Sequence, residues 1–288
     1  MKLFILFYLL IFVTFGGYSQ SIKGRDFGNL TFKIVEKHIV DTAKVNIFYT
    51  LDFRLDPKKP EKMKHAQTFL QIGKHSRCFK DYNDFLSDSI NDDCATNSIN
   101  SSSGIIQLMN VGRKIKYYEM VMHGYLDGKL LRRQKGVLVQ RYEFEDSIPL
   151  FDWIITERDS TILNYKCKMA TCHYRGRDYE AWFAEGISMP YGPDVFGGLP
   201  GLIMDIHDTQ DHYHFKLNGL YTLNHTQLIY KKISNKVIPS SRKKARKVYK
   251  YSREFPAQAI EHAFPNPNRS LEAMAKLKPK PYNPMELE

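Results

Sequence analysis

From residue 29 to residue 233 the chain is cut into short runs of alternating apolar and polar side chains, and this alternation constrains the fold more than any other feature. Successive side chains of a strand point to opposite faces, so a period of two predicts strands with one buried face. Leu30, Phe32 and Ile34 open the series, and Val45, Ile47, Tyr49 and Leu51 continue it. Residues 68–72 and 75–79 form a pair split at Gly73. Residues 116–125 lead to Asp127-Gly128, a hairpin signal, and then past a basic segment to 137–144. The runs 151–156, 162–168, 179–184, 202–206, 213–217, 220–223 and 227–233 complete the set. The Asp-, Asn- and Ser-rich stretch 81–104 predicts one short helix over 82–89, followed by a loop that Cys94 ties back. Residues 257–263 are a second short helical pattern. The fold class predicted is mainly β: a curved or partly closed antiparallel sheet, a half-barrel, with one or two short helices. No internal repeat is visible, which disfavours a propeller or solenoid.

The N-terminus bounds where such a sheet works. Lys2 precedes an unbroken apolar run from Leu3 to Phe15, which gives way to Gly16, Gly17, Tyr18 and Ser19. The run is shorter than the roughly 20 residues a spanning helix requires, and its order of charge, apolar run and small residues is that of a signal peptide. Residues 1–19 are therefore expected to be removed, and the protein to be exported to the periplasm or held at the outer membrane. Residues 20–234 form the predicted β-rich domain, and 235–288 a basic, Pro-rich C-terminal extension, expected to be loosely held. Outside the cytoplasm, the four cysteines are expected to form disulfides. Of three possible pairings, the local ones are Cys78 with Cys94 and Cys167 with Cys172. A zinc site is the alternative, but neither spacing is a C-x₂-C knuckle. The formal net charge is +11, and much of it lies beyond residue 229. With an export signal in front, this excess suits an anionic surface such as lipid, lipopolysaccharide or an acidic protein, and not nucleic acid.

Gly192-Pro193 and the run Phe196-Gly197-Gly198-Leu199-Pro200-Gly201-Leu202-Ile203 hold the densest cluster of residues with special backbone preferences. Glycine permits positive φ and close backbone approach, and proline fixes φ. The segment is not a phosphate loop, because it lacks the Lys-Ser/Thr end and precedes a strand. Residues 198–203 spell the motif of the GLPGLI family of exported Bacteroidetes proteins, which this chain resembles. The likeness extends through Cys167, Arg175-Gly176-Arg177, Tyr179, Ala181-Trp182-Phe183, Glu185, Ile187, Gly192-Pro193 and Phe196. It reappears in Tyr282-Asn283-Pro284-Met285-Glu286. Ser188 and Asp194 depart from the pattern, where Pro and Trp are frequent. The resemblance implies a curved sheet similar to that of periplasmic lipoprotein carriers, genes placed beside outer-membrane transporters, and no defined activity.

Chemistry is sparser. His212 and His214, two apart on a predicted strand, with His207 nearby, form a set that Zn²⁺ or Cu²⁺ would suit; the plainer reading is an exposed pair on a sheet. Asp152, Glu157, Asp159, Glu180 and Glu185 offer carboxylates for glycoside chemistry, or simply a wet sheet face. Arg175 and Arg177 either bind an anion or bridge to acids such as Glu185. There is no nucleophile elbow, no H-E-x-x-H pair and no Cys-His-Asn set, so no residue is named catalytic. The first expectation is a non-enzymatic periplasmic or envelope binding or accessory protein that serves outer-membrane transport or assembly. Its partner would be an outer-membrane transporter or another envelope protein, or a lipid or peptide held at Trp182, Phe196, Leu199, Pro200, Arg175 and Arg177. The alternative is a metal-binding envelope protein or hydrolase built on the histidines. A third option uses the basic extension on an anionic surface.

Overall fold

A computed structural model describes residues 31–99, 101–266 and 268–288; the predicted signal peptide and Leu30 lie outside the described residues. Among those residues the chain makes twelve strands in one sheet and five helices. The strands are β1 (Lys37–Arg54), β2 (Met63–Ile72), β3 (Arg77–Asp81), β4 (Met120–Leu126), β5 (Lys129–Lys135) and β6 (Arg141–Ser147). Then come β7 (Ile154–Ile162), β8 (Tyr165–Tyr174), β9 (Arg177–Ala184), β10 (Leu202–Asp208), β11 (Tyr213–Lys232) and β12 (Val237–Pro239). The sheet is ordered β12-β6-β5-β4-β3-β2-β1-β11-β10-β9-β8-β7 and is not closed into a barrel. Its pairs are antiparallel apart from the short β12–β6 pair. The mainly β, antiparallel class predicted from the alternation is thus the one observed. The helices outnumber the one or two expected.

Period two divides the central strands cleanly. Ile47, Tyr49, Leu51 and Phe53 of β1, with Phe79, Tyr213, Phe215 and Leu217, are buried in the main core on what we call the inner face. Asn46, Phe48, Thr50 and Asp52, with His214, Lys216 and Asn218, point to the outer face. The inner face is filled by the chain itself. Residues 187–203 lay Ile187, Phe196, Leu199, Leu202 and Ile203 against it, and Met285 closes it from the C-terminal side.

The outer face is half covered by α1 (Tyr82–Thr96). Asp81 starts this helix by accepting a hydrogen bond from the Asn83 amide at 2.8 Å, a standard N-cap. Tyr82 and Phe85 then meet Phe69 of β2 at ring separations of 5.3 Å each. The loop expected after residue 89 is instead the rest of α1 and a second helix, α2 (Ser101–Gly112).

The cysteines are four buried free thiols, which corrects the expected disulfides. Cys167 and Cys172 lie on one strand, β8. Five residues at about 3.3 Å each put their Cα atoms roughly 16 Å apart, against at most about 7 Å for a disulfide. Cys78 packs among Met120, Met122, Leu131 and Ile229 of the sheet, whereas Cys94 sits far along α1 with its sulfur facing Gly104 of α2.

The C-terminal extension also differs from expectation. It forms α3 (Arg242–Glu254), α4 (Pro256–Ala263) and α5 (Leu271–Ala275), and buries Asn283, Met285 and Glu286. Ser241 caps α3 and Pro256 opens α4, both favoured at helix starts. No helix of the described residues is long and apolar enough to cross a membrane.

Candidate functional site

The residues first marked for binding do not share an open surface. Phe196 and Leu199 are 4% and 1% exposed, so the structure removes them from any ligand-contacting face. Phe196 stacks on Phe151 at 5.3 Å and meets Tyr179 at 4.7 Å. The Gly-Pro loop that carries them is a plug. Gly198 takes φ +86°, and a Cβ on Gly201 would lie 2.2 Å from the Ala184 carbonyl oxygen. The Ile203 amide donates to Tyr191 O at 3.0 Å, and the Tyr49 hydroxyl donates to Ile203 O at 2.9 Å. Pro200 is exposed beside this plug, and Trp182 is half-buried on β9 with Arg158 over its ring.

Arg175 and Arg177 take the ion-pair reading, with partners other than Glu185. Arg175 forks onto Asp146, with both hydrogen bonds at 3.0 Å, and reaches Glu286 at 2.8 Å. Buried Arg177 donates to Asp208 at 2.8 Å, Asn283 Oδ1 at 2.7 Å and the Pro284 and Met285 carbonyls. These two side chains fasten the end of the chain to the sheet.

The histidines divide. His207 on β10 and His214 on β11 are direct register partners on the outer face, with rings 4.9 Å apart. Asp205 lies two residues before His207 on the same face, and its carboxylate oxygens are both 2.8 Å from His214 Nε2. One ligand atom from each of Asp205, His207 and His214 falls within 4.8 Å of the others. Burial works to raise the Asp205 carboxyl, but its contacts with His207 and His214 hold it below the usual range. Asp205 in turn raises the His207 imidazole, whose Nδ1 is buried without a hydrogen bond. Glu180 is the register partner of His207 on β9, with Oε2 3.8 Å from His207 Nε2.

His212 belongs elsewhere. β11 begins at Tyr213, so strand periodicity does not extend back to His212. Its Nδ1 lies 2.9 Å from Arg177 Nη1. The metal-type set is therefore Asp205, His207 and His214, in place of the three histidines.

On the same outer face lies a groove of about 690 Å³ that sequence reasoning missed. Two register shifts between β1 and β11 create it. At the first, Phe48 pairs with Gly219 while Tyr49 pairs with Leu217, which leaves Asn218 as the extra residue. At the second, Val45 pairs with Thr222 and Ala43 with Gln227, so residues 223–226 stand out from the pairing. Such bulges bend a strand and re-aim its side chains.

Phe48, Tyr82 and Tyr221 give the groove its aromatic surface, and Asn46, Gln67, Asn218, Asn224 and Gln227 its amides. Tyr221 is 59% exposed and stands edge-on to Phe48 at 5.6 Å. No Asp, Glu, Lys or Arg lines the groove, on a chain of net charge +11. The amides are positioned by one another: Asn218 Nδ2 donates to Thr50 at 2.7 Å and to Gln67 at 3.0 Å, and Asn46 Nδ2 donates to Gln227 at 2.8 Å. Asn46 Oδ1 is buried with no partner. The sequence signal for this site was Asn218-Gly219 inside a strand, because glycine in a strand interior marks a bulge.

No family model matches the chain, and no curated protein matches it. Two solved structures, of PNGF-II in the P21 and in the C2 space group, are similar at 13% and 12% identity, with TM-scores of 0.44 and 0.43. Each alignment covers 74% of this chain and 34% of the other, so the chain spans about a third of their length.

Proposed function

We propose that the protein is a non-enzymatic binding protein of the bacterial envelope that holds an uncharged, hydroxyl-rich ligand, a neutral oligosaccharide, in the β1–β11 groove. The carrying observation is the lining: aromatic faces and amides with one histidine, His225, and no Asp, Glu, Lys or Arg, over a volume in the usual range for ligand sites. Aromatic rings take the C–H faces of a sugar ring. Amides offer a donor and an acceptor each, which suits vicinal hydroxyls. An acyl chain would leave the amides dry and unpaired, at a cost. An added peptide strand needs a free sheet edge, whereas β1 is paired on both sides. Export by the N-terminal leader, and the resemblance to the GLPGLI family with its outer-membrane transporter neighbours, support placing this binding beside an outer-membrane transport partner.

The test is titration of the tag-free protein with neutral oligosaccharides of different linkage, beside acidic ones and neutral peptides. Binding of a neutral glycan that weakens at least tenfold in both Tyr221→Ala and Asn218→Ala supports the reading. Glycan binding untouched by either change, or no glycan binding at all, overturns it.

A second reading rests on Asp205, His207 and His214, which supply two imidazoles and a carboxylate, a donor set suited to Zn²⁺ or Cu²⁺, with Glu180 near enough to join. Because Asp205 favours the protonated His207, affinity for metal should rise with pH across the imidazole range. Zn²⁺ retained on dialysis at pH 8 and lost in His214→Ala supports it; a protein that retains none sinks it.

A further inference from the structure

On the inner face, between the sheet and the C-terminal extension, lies a cavity of about 80 Å³ with a charge pattern opposite in character to the neutral groove. Four cations reach it from four places in the chain: Lys64 from β2, Lys116 from the segment before β4, Lys135 from β5 and Arg253 from α3. None of them pairs with a carboxylate among the described residues. Arg253 spends Nε and Nη2 on the Pro281 carbonyl, at 2.9 and 2.7 Å. Lys135 sits 3.9 Å over the Tyr118 ring, which Arg141 also approaches at 5.1 Å.

The neighbouring arginines, by contrast, are paired with acids. Nearby, Arg132, Arg175, Arg242 and Arg246 converge on one carboxylate, Glu286. Glu119 is the one acid that lines the cavity, and it belongs to that paired network, with Arg132 Nη2 at 3.1 Å. The four cavity cations have no such partner and repel one another. Burial, then Arg141 and Arg253, lower Lys135 to about 8. Burial, then Arg253, Lys116 and Lys280, lower Lys64 as well. Like charges held together without counter-charge make a site that an anion would relieve. Tyr249 and Tyr282 line the same space and add hydroxyls free of hydrogen bonds among the described residues.

The volume fixes the size of the guest. A water-sized atom needs about 15 Å³ on this measure, so the cavity accommodates about five such atoms. That is a single tetrahedral oxyanion group and not a whole sugar or lipid. We propose that this cavity binds one phosphate-type oxyanion, with Lys64, Lys116, Lys135 and Arg253 as its cationic ligands. The group belongs either to free phosphate or a phosphomonoester, or to the headgroup of an anionic lipid.

The test uses the full chain and two probes at fixed ionic strength: inorganic phosphate by calorimetry, and flotation with phosphatidylglycerol vesicles against phosphatidylcholine. A Lys135→Gln/Arg253→Gln variant removes two cavity charges. A Lys243→Gln/Lys247→Gln variant removes two exposed charges of α3 outside the cavity. Lys64→Gln, at an exposed position, guards against misfolding of the double variant. Phosphate binding kept in the wild type and the α3 control, and at least tenfold weaker in both cavity variants, supports the site and a soluble source. Binding to phosphatidylglycerol alone, with the same ranking of variants, supports the site and a lipid source. Equal loss in cavity and control variants, unchanged binding in the cavity variants, or no binding of either probe overturns the proposal.

Discussion

At the scale of single residues, the chain's investment is in a few charges that hold its last segment. Glu286 is buried among four arginines. Burial alone would raise its carboxyl, but Arg132 and Arg175 lead the contacts that pull it from 4.5 down to about 2. A depressed acid binds fewer protons in the folded state than in the unfolded one. Its contribution, about 3 kcal/mol for a shift of this size, is therefore whole above pH 4.5 and is lost as the pH falls towards 2. Urea midpoints measured from pH 6 down to pH 2 should fall through that window, and Glu286→Gln should start lower and lose its own share of the slope, the remainder coming from other acids held low, such as Asp146 and Asp205. Arg177 makes a second prediction. Its removal in Arg177→Ala leaves Asp208 buried without its pair, and one-sided removal of such a pair costs about 3–5 kcal/mol. Arg177→Lys should recover little, because an ammonium cannot span Asp208, Asn283 and two carbonyls together; chemical denaturation of the three proteins compares them directly.

At the scale of elements, the strands were legible and the helices less so. Val45, Ile47, Tyr49 and Leu51 predicted β1 because Ile47, Tyr49, Leu51 and Phe53 bury one face of its second half. Asp127-Gly128 predicted the β4–β5 turn, where Gly128 takes φ +63°. β5 itself was passed over as a basic segment, because Arg132 and Arg133 are buried in ion pairs and imitate a solvent-facing run. α1 was cut short at residue 89, since its polar residues 91–93 obscure a helical period that packing against α2 and the sheet overrides. The extension looked loose for a similar reason. Its lysines, arginines and prolines are the composition of disorder, whereas its order comes from partners far away in the chain: Arg132 and Arg175 on Glu286, Arg177 on Asn283, and Asp146 beside Arg242. Deleting residues 281–288 should therefore raise binding of a hydrophobic dye and speed proteolysis of the sheet. A loosely held tail would come away without either effect.

At the scale of the whole molecule, one sheet carries two openings of different character, a groove without Asp, Glu, Lys or Arg outside and a cation-lined cavity inside, at opposite sides of the same central strands. The sheet's end at β7 is protected by charge: Glu157, Arg158 and Asp159 alternate signs on a strand whose Ile154 and Ile155 are exposed, a common defence of an open edge. Replacing all three with Val should produce concentration-dependent higher oligomers on gel filtration that the unchanged protein does not form. The groove was not legible as a site because it is made by register, and the pairing of β1 with β11 brings together side chains as far apart as Asn46 and Gln227, 181 positions along the chain. That pairing also sets an order of events. The meander from β2 to β6 has its neighbours close in sequence and can form early, but β1 waits for β11, and contacts this distant are slow to close. Until residue 232 is available, Val45–Arg54 are paired by β2 on one side only, residues 37–44 have no strand beside them, and β1 offers an unpaired side to any other chain. A molecule built this way is vulnerable while it is being made, when an escort that keeps it extended matters more to its yield than the stability it finally reaches.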